Sequence, residues 1–172
     1  MAMKSDVRLY SLSLREVRTY VFAAAFVVGN IVFPQLCHAL MAKGGLIFLP
    51  IYFFTLIGAY KYGSKVGMVT AILSPVINSV AFGMPAVAAL PMILMKGVLL
   101  AGIASMVAKR SGKVSILALL GVVLAYQVIG CGIEWAVKGS FMAGVQDFRL
   151  GLPGMLIQVA GGWALLKFVL KK

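Results

Sequence analysis

Long apolar segments dominate the chain, and short polar or glycine-containing stretches separate them. A helix needs about 20 apolar residues to cross the ~30 Å hydrocarbon core of a bilayer. The boundary between the third and fourth segments rests on Phe82-Gly83-Met84-Pro85, a strong turn signal. The pattern predicts an all-α integral membrane protein, with residues 1–172 forming a single membrane domain built as a six-transmembrane-helix bundle. The predicted helices cover residues 18–42, 45–62, 66–82, 86–108, 114–137 and 152–170.

The lysines and arginines between these segments are distributed unequally. With the N-terminus inside, twelve lie on the inner side and three on the outer side, and Lys96 falls within the fourth helix. Cytoplasmic loops carry an excess of Lys and Arg. We therefore expect both termini to be cytoplasmic, in a multi-pass protein of a bacterial cytoplasmic (inner) membrane. The inner set is Lys4, Arg8, Arg15, Arg18, Lys61, Lys65, Lys109, Arg110, Lys113, Lys167, Lys171 and Lys172, and the outer set is Lys43, Lys138 and Arg149.

Residues 1–17 precede the first apolar segment. They are polar with apolar residues interleaved, which predicts a cytoplasmic amphipathic lead that forms a short helix on the inner surface.

Composition supports a bilayer environment. The chain is 62% hydrophobic and 12% charged, with a mean hydropathy of +1.04, whereas soluble domains are about 25% charged. The net charge of +12 could indicate nucleic acid. The cations lie mostly at the ends of apolar segments, as topology signals do, so no nucleic-acid partner is expected.

Lys96 lies in the middle of a long apolar run, and nothing else charged lies between Lys65 and Lys109. A charge in hydrocarbon costs several kcal/mol unless it is paired or faces water, so it needs a partner or a function. On the predicted helix Lys96 lies about 15 Å below the outer boundary and Glu134 about 5 Å, at ~1.5 Å per residue. An outward-reaching lysine stem closes much of that gap, and Glu134 is the acid at suitable depth. Two alternatives stay open: a structural Lys96–Glu134 pair, and a lysine that faces a ligand.

Other polar residues also gather toward the outer end. Each has a structural alternative: an interhelical hydrogen bond for Asn78 and Gln127, and a place at the membrane interface for His38 and Trp135. For Asp147 and Arg149 the alternative is a solvated loop pair. The candidate ligand-binding residues are Lys96, Asn78, Glu134, Gln127, His38, Trp135, Asp147 and Arg149.

The sequence offers little for catalysis. It has four acids, and it lacks Walker, GxSxG and HExxH motifs. Cys37 and Cys131 have no spacing typical of a metal site. Both fall near the outer face, so they are either two buried apolar residues or the two halves of a disulfide. We expect no enzyme activity, no metal and no cofactor.

The first helix contains Ala25-x-x-x-Gly29. Small residues four apart form a smooth stripe where another helix can approach closely. The stripe serves either packing within the bundle or docking to another membrane protein.

The chain resembles the substrate-binding (S) components of energy-coupling factor (ECF) transporters. The resemblance covers nearly the whole length, with one small domain, six helices and cytoplasmic ends. It rests on the basic lead Arg15-Glu16-Val17-Arg18 before Ala23-Ala24-Ala25, and on the passage between the third and fourth helices. That passage contains Gly67-Met68-Val69-Thr70-Ala71-Ile72-Leu73-Ser74-Pro75 and Phe82-Gly83-Met84-Pro85.

The resemblance implies a function and partners. S components bind a vitamin or related micronutrient at the outer side, and they associate with a transmembrane coupling subunit and two ATPase subunits that hydrolyse ATP. It implies that Ala25 and Gly29 face the coupling subunit, where the family usually has alanine at both positions. It also implies that Lys96, Asn78, Glu134 and the loop from Asp147 to Arg149 lie near the ligand. A solitary transporter and a non-transport membrane adaptor or assembly protein remain alternatives.

Overall fold

All regular secondary structure is helical in the residues that the computed structural model describes, 7–41 and 43–170. Five helical stretches are long and apolar enough to cross a membrane: α1, α4, α5 with the turn before it, α6, and α9 with the turn after it. This finding supports the predicted all-α class and transmembrane character. In chain order the α-helices are α1 (Val17–Leu40), α2 (Gly44–Phe48), α3 (Phe53–Tyr62), α4 (Ser64–Phe82), α5 (Leu90–Ser111), α6 (Ile116–Lys138), α7 (Phe141–Gly144), α8 (Gln146–Leu150) and α9 (Leu152–Ala164).

The long helices lie close to their predicted positions. A 3₁₀ turn (Val87–Ala89) leads into α5, and a π-helical turn (Leu165–Val169) extends α9. The predicted end of the first helix at residue 42 falls outside the described residues, and α1 ends at Leu40.

The predicted helix over residues 45–62 is wrong as a single element. It consists of α2, a 3₁₀ turn (Pro50–Tyr52) and α3, with Leu49 between the first two in the left-handed region at φ 45°. Proline has no N–H to donate, and it disfavours helical geometry at the residue before it. Leu49 and Tyr52, on either side of the break's proline, line the cavity described below.

The lead is also not a helix in residues 7–16. Instead, Tyr10 N–H donates to the Lys61 carbonyl (2.7 Å) and Leu12 N–H to the Tyr62 carbonyl (3.1 Å). These two carbonyls belong to the last turn of α3, which has no intrahelical donor for them. The segment therefore caps α3, and the first six residues of the lead, with Lys4, lie outside the described residues.

Lys61 is not a solvated loop cation. It is fully buried, and its ammonium donates to the Arg8 carbonyl (2.6 Å) and lies 5.3 Å from the centre of the Tyr10 ring. This lysine therefore fastens the N-terminal segment to the bundle.

The turns gather at two ends of the bundle. The ends of α1, α4 and α6, together with α2, α7, α8 and the start of α9, lie at what we call the site end. Of the lysines and arginines in the described residues, Lys43, Lys138 and Arg149 lie at the site end, where Lys96 is buried in α5. The opposite end carries Arg8, Arg15, Arg18, Lys61, Lys65, Lys109, Arg110, Lys113 and Lys167, whereas Lys171 and Lys172 lie outside the described residues.

Candidate functional site

Lys96 is paired with two carboxylates at the site end. Its ammonium donates to Glu134 Oε2 (2.6 Å) and to Asp147 Oδ2 (2.8 Å), and the residue is only 3% exposed. The other oxygen of Glu134 accepts a hydrogen bond from Lys138, one helical turn further along α6. The Lys96–Glu134 pair, one of the two alternatives that the sequence leaves open, is present. The four side chains, which we call the ion cluster, carry two positive and two negative charges.

Helix geometry explains why Lys96 and Glu134 meet. Lys96 lies six residues after the start of α5 and Glu134 four residues before the end of α6. At ~1.5 Å per residue the depths are about 9 Å and 6 Å. The sequence estimate placed them about 10 Å apart in depth, because it began the fourth helix four residues too early.

Asp147 is a second acid partner of Lys96, so the expectation that Glu134 alone has the right depth is wrong. Asp147 lies on α8, in the connection between α6 and α9. That connection folds as two short helices whose close packing on α6 returns Asp147 to the bundle; a Cβ at Gly144 would lie 2.8 Å from the Cys131 carbonyl oxygen. Hydropathy gives no signal for such a return, because it depends on tertiary packing.

Sequence reasoning missed Gly130. This glycine lies on α6 against the Lys96 stem, and a Cβ there would lie 2.9 Å from Lys96 Cγ and 3.2 Å from Cε. Gly130 lies four residues before Glu134 on the same helix, so one face of α6 holds both the stem and the charge of Lys96. The sequence signal that could have identified Gly130 is its spacing: residues four apart share one face of a helix, and Glu134 is an acid within a predicted membrane span.

A cavity of about 160 Å³ opens beside the ion cluster. Lys96, Glu134, Lys138 and Asp147 line one side, and apolar residues from three other parts of the chain line the rest. The other two polar residues in its lining are Gln146 and Tyr52. The lining residues are Gly45, Leu46, Leu49, Ile51, Tyr52, Ala89, Met92, Ile93, Lys96, Glu134, Lys138, Gln146 and Asp147.

A second cavity of about 310 Å³ adjoins the first. It is almost wholly apolar, and His38 is the only titratable side chain that the described part of the chain contributes to its lining. The predicted site residue His38 therefore lies at the site end, but in the neighbouring cavity and not in the ion cluster. The lining residues are Pro34, His38, Gly45, Leu46, Pro50, Ile51, Met84, Pro85, Ala86, Ala89 and Ile93.

Asn78 makes interhelical hydrogen bonds. Its amide nitrogen donates to the carbonyls of Asn30 (2.9 Å) and Ser74 (3.1 Å), and its oxygen accepts from Gln35 (3.3 Å). Asn78 is fully buried and lines neither cavity. The geometry therefore favours an interhelical hydrogen-bonding role for Asn78 over a ligand-binding one.

Gln127 lies deeper in the bundle. Its amide nitrogen donates to the Tyr126 hydroxyl (3.2 Å), which in turn donates to Gln158 Oε1 (3.0 Å). Gln127 Oε1 and Gln158 Nε2 are buried and have no partner in the described residues. Buried polar groups of this kind are the ones that ordered waters satisfy, and Gln127 does not line the site cavity.

Trp135 and Arg149 point away from the ion cluster. Trp135 is 52% exposed and packs edge-on against Phe141. Arg149 is exposed and forms no ion pair within the described chain, since Asp147 pairs with Lys96 instead. The alternative of a solvated Asp147–Arg149 pair is therefore wrong.

The two cysteines are separate. Cys37 and Cys131 are both buried free thiols, which confirms the reading as small apolar residues. Among the described residues no group of three or more His, Cys, Asp or Glu side chains could hold a metal ion.

The small-residue stripe of α1 has two different environments. Ala25 is exposed. Gly29 is half-buried, and a Cβ there would lie 2.8 Å from the Phe54 ring of α3. Gly29 therefore serves packing within the bundle, and Ala25 remains open to a partner or to lipid.

Comparisons with known proteins identify no relative: no family model, curated protein or solved structure matches the chain.

Proposed function

We propose that this chain is the membrane-embedded substrate-binding subunit of an ATP-driven importer of the ECF type, with high affinity for a vitamin or related micronutrient. The observation that carries the proposal is the ion cluster beside a cavity at one end of the bundle. Charged side chains inside a bundle mark ligand and ion pathways in membrane proteins. A cavity with a few convergent polar groups is the usual form of a small-molecule site.

The proposal includes an orientation. The excess of cations at the opposite end favours a cytoplasmic location for that end and for both termini. The site end then faces the outside of a bacterial cytoplasmic membrane, where an importer must collect its substrate.

Coupling to a transmembrane subunit and two ATPase subunits is part of the same proposal. The docking surface would be the outward face of α1, which carries the small residues Ala24 and Ala25 beside Val21 and Val28. Gly29 supports that face indirectly, because it lets α1 lie close to the Phe54 ring.

A co-purification experiment tests the proposed binding. The protein is purified in lipid nanodiscs, small molecules that it retains are identified by mass spectrometry, and a vitamin panel is screened by calorimetry. We expect the wild type to retain or bind one compound, and the variant K96M/E134Q/D147N to lose it at least a hundredfold. The triple variant is used because it removes the charges together and leaves no unpaired carboxylate.

The matched control is Lys61→Met, which removes a buried lysine at the opposite end. It should keep ligand affinity within about twofold of wild type. The proposal fails if no compound co-purifies or binds, or if the triple variant binds as well as the wild type.

A second candidate function is a membrane adaptor or assembly protein in which the ion cluster is structural. The observation that favours it is the complete pairing of Lys96 by two carboxylates. In that case the triple variant retains every partner and activity of the wild type, and no small molecule binds to either.

A further inference from the structure

The two cavities at the site end are neighbours; we call the one beside the ion cluster the polar part and the almost wholly apolar one the apolar part. They share five lining residues, which come from α2, from the two 3₁₀ turns (Pro50–Tyr52 and Val87–Ala89) and from α5. Together their size suits a ligand larger than a single ring, since small-molecule sites are commonly about 300–1,000 Å³. The shared residues are Gly45, Leu46, Ile51, Ala89 and Ile93.

The polar part is already balanced in charge. Lys96 and Lys138 offset Glu134 and Asp147, and three of the four are buried or nearly so. A ligand with a net charge would bring an unpaired charge against these largely buried groups, and taking an unpaired charge out of water has a free-energy cost. A ligand without net charge avoids that cost.

The polar part nevertheless offers hydrogen bonds of both kinds. Asp147 uses only Oδ2 on Lys96, so Oδ1 remains an acceptor, and the Lys138 side chain is 45% exposed with donors to spare. Gln146 and Tyr52 line the same cavity, and each has a side chain that can both donate and accept a hydrogen bond. A ligand group that both donates and accepts would satisfy this set, whereas one that only donates or only accepts would leave a group unpaired.

We propose, resting on the proposed function, that the ligand is an electroneutral amphipathic molecule. Its polar head donates to Asp147 and accepts from Lys138 or Gln146, as a carboxamide, lactam or ureido group would. Its apolar body extends past Ile93 into the chamber lined by Pro34, Pro50 and Pro85.

Four matched probes test the charge rule: 3-phenylpropanamide (neutral), phenylalanine (zwitterionic), 3-phenylpropanoate (anionic) and 3-phenylpropylamine (cationic). Binding to the protein in nanodiscs is measured by saturation-transfer NMR, with K96M/E134Q/D147N defining the background. We expect site-dependent binding of the amide at least tenfold tighter than that of the anion or the cation. Phenylalanine, which has no net charge, should also bind more tightly than either charged probe. Preference for the anion or the cation would overturn this inference and leave small-molecule binding intact. Absence of site-dependent binding by all four probes would overturn this inference, whereas the proposed function fails only if the co-purification and vitamin screen also find no ligand.

A plug variant tests the continuity of the two cavities. Ile93 lines both, so Ile93→Trp should fill the passage between them. We expect it to weaken 3-phenylpropanamide at least tenfold while acetamide, which needs only the polar part, keeps its wild-type affinity. Val98→Trp, on the exposed side of the same helix, is the control and should leave both unchanged. If Ile93→Trp weakened the binding of both amides equally, or weakened neither, the result would contradict a ligand that spans both cavities.

Discussion

At the scale of single residues, the burial of Lys96 follows from what surrounds its ammonium. Two carboxylates at 2.6 and 2.8 Å replace the water that the ammonium loses. Buried ion pairs stabilise little against well-packed apolar residues, but removing one partner leaves an uncompensated charge. The ion cluster therefore matters for stability mainly because every buried charge in it has a partner, so that removing one side chain is costly.

This argument predicts opposite effects for partial and complete neutralisation. Lys96→Met leaves Glu134 and Asp147 with only the half-exposed Lys138 for compensation, so we expect a loss of about 3 kcal/mol in the free energy of unfolding. K96M/E134Q/D147N should recover most of that loss. Denaturant unfolding in detergent micelles measures both. A triple variant less stable than the single variant would show that the charges stabilise the fold beyond their mutual pairing.

Gly130 gives a second prediction at this scale. Alanine gains about 1 kcal/mol over glycine in a helix interior, but at Gly130 the added Cβ would press on the Lys96 stem. Gly132 lies on the same helix with nothing within 4 Å of an added Cβ. We therefore expect Gly130→Ala to be less stable than Gly132→Ala by about 1–2 kcal/mol, measured by thermal unfolding. Equal stabilities would mean that the Lys96 stem moves aside without cost.

At the scale of elements, the sequence predicts the long helices because their length and apolarity are local properties. It misses the break at Leu49-Pro50, because hydropathy over residues 45–62 does not register a proline or a left-handed residue. It also misses the return of Asp147, because α7 and α8 depend on contacts with α6. The Lys96–Glu134 pair was predictable from depth along two helices, and the placement of Asn78 and Gln127 in separate networks was not.

The start of α3 after this break depends on α1. Asn30 Oδ1 accepts the Phe54 N–H (3.1 Å), which has no acceptor within its own helix, and Asn30 Nδ2 donates to Thr55 (3.0 Å) and Ser74 (3.3 Å). The fully buried Asn30 thereby ties α1, α3 and α4 together.

Removing this amide should therefore destabilise the bundle. Interhelical hydrogen bonds in membranes average about 0.6 kcal/mol, so we expect Asn30→Leu to cost about 2 kcal/mol by denaturant unfolding. Gln35→Leu is the matched control on α1, because it removes one part-buried bond of 3.3 Å, and it should cost under about 0.5 kcal/mol. Similar costs for the two variants would mean that the network is not what holds α3 in place.

At the scale of the whole molecule, the two ends of the bundle differ in charge and in cavities. The opposite end concentrates the cations, and the site end holds the cavities and the ion cluster. An importer needs this arrangement in one orientation only, because substrate must enter from outside while the cation-rich end stays in the cytoplasm.

Cysteine labelling determines that orientation. Because both native cysteines are buried thiols, Cys37→Ala/Cys131→Ala provides a background without reactive groups. Ser140→Cys lies exposed at the site end and Ser11→Cys lies exposed in the N-terminal segment at the other. We expect a membrane-impermeant maleimide to label Ser140→Cys in intact cells, and Ser11→Cys only after the cells are permeabilised. The reverse pattern would place the ion cluster at the cytoplasmic side. It would then exclude uptake through this site and leave the adaptor, with its structural ion cluster, as the better account of Lys96.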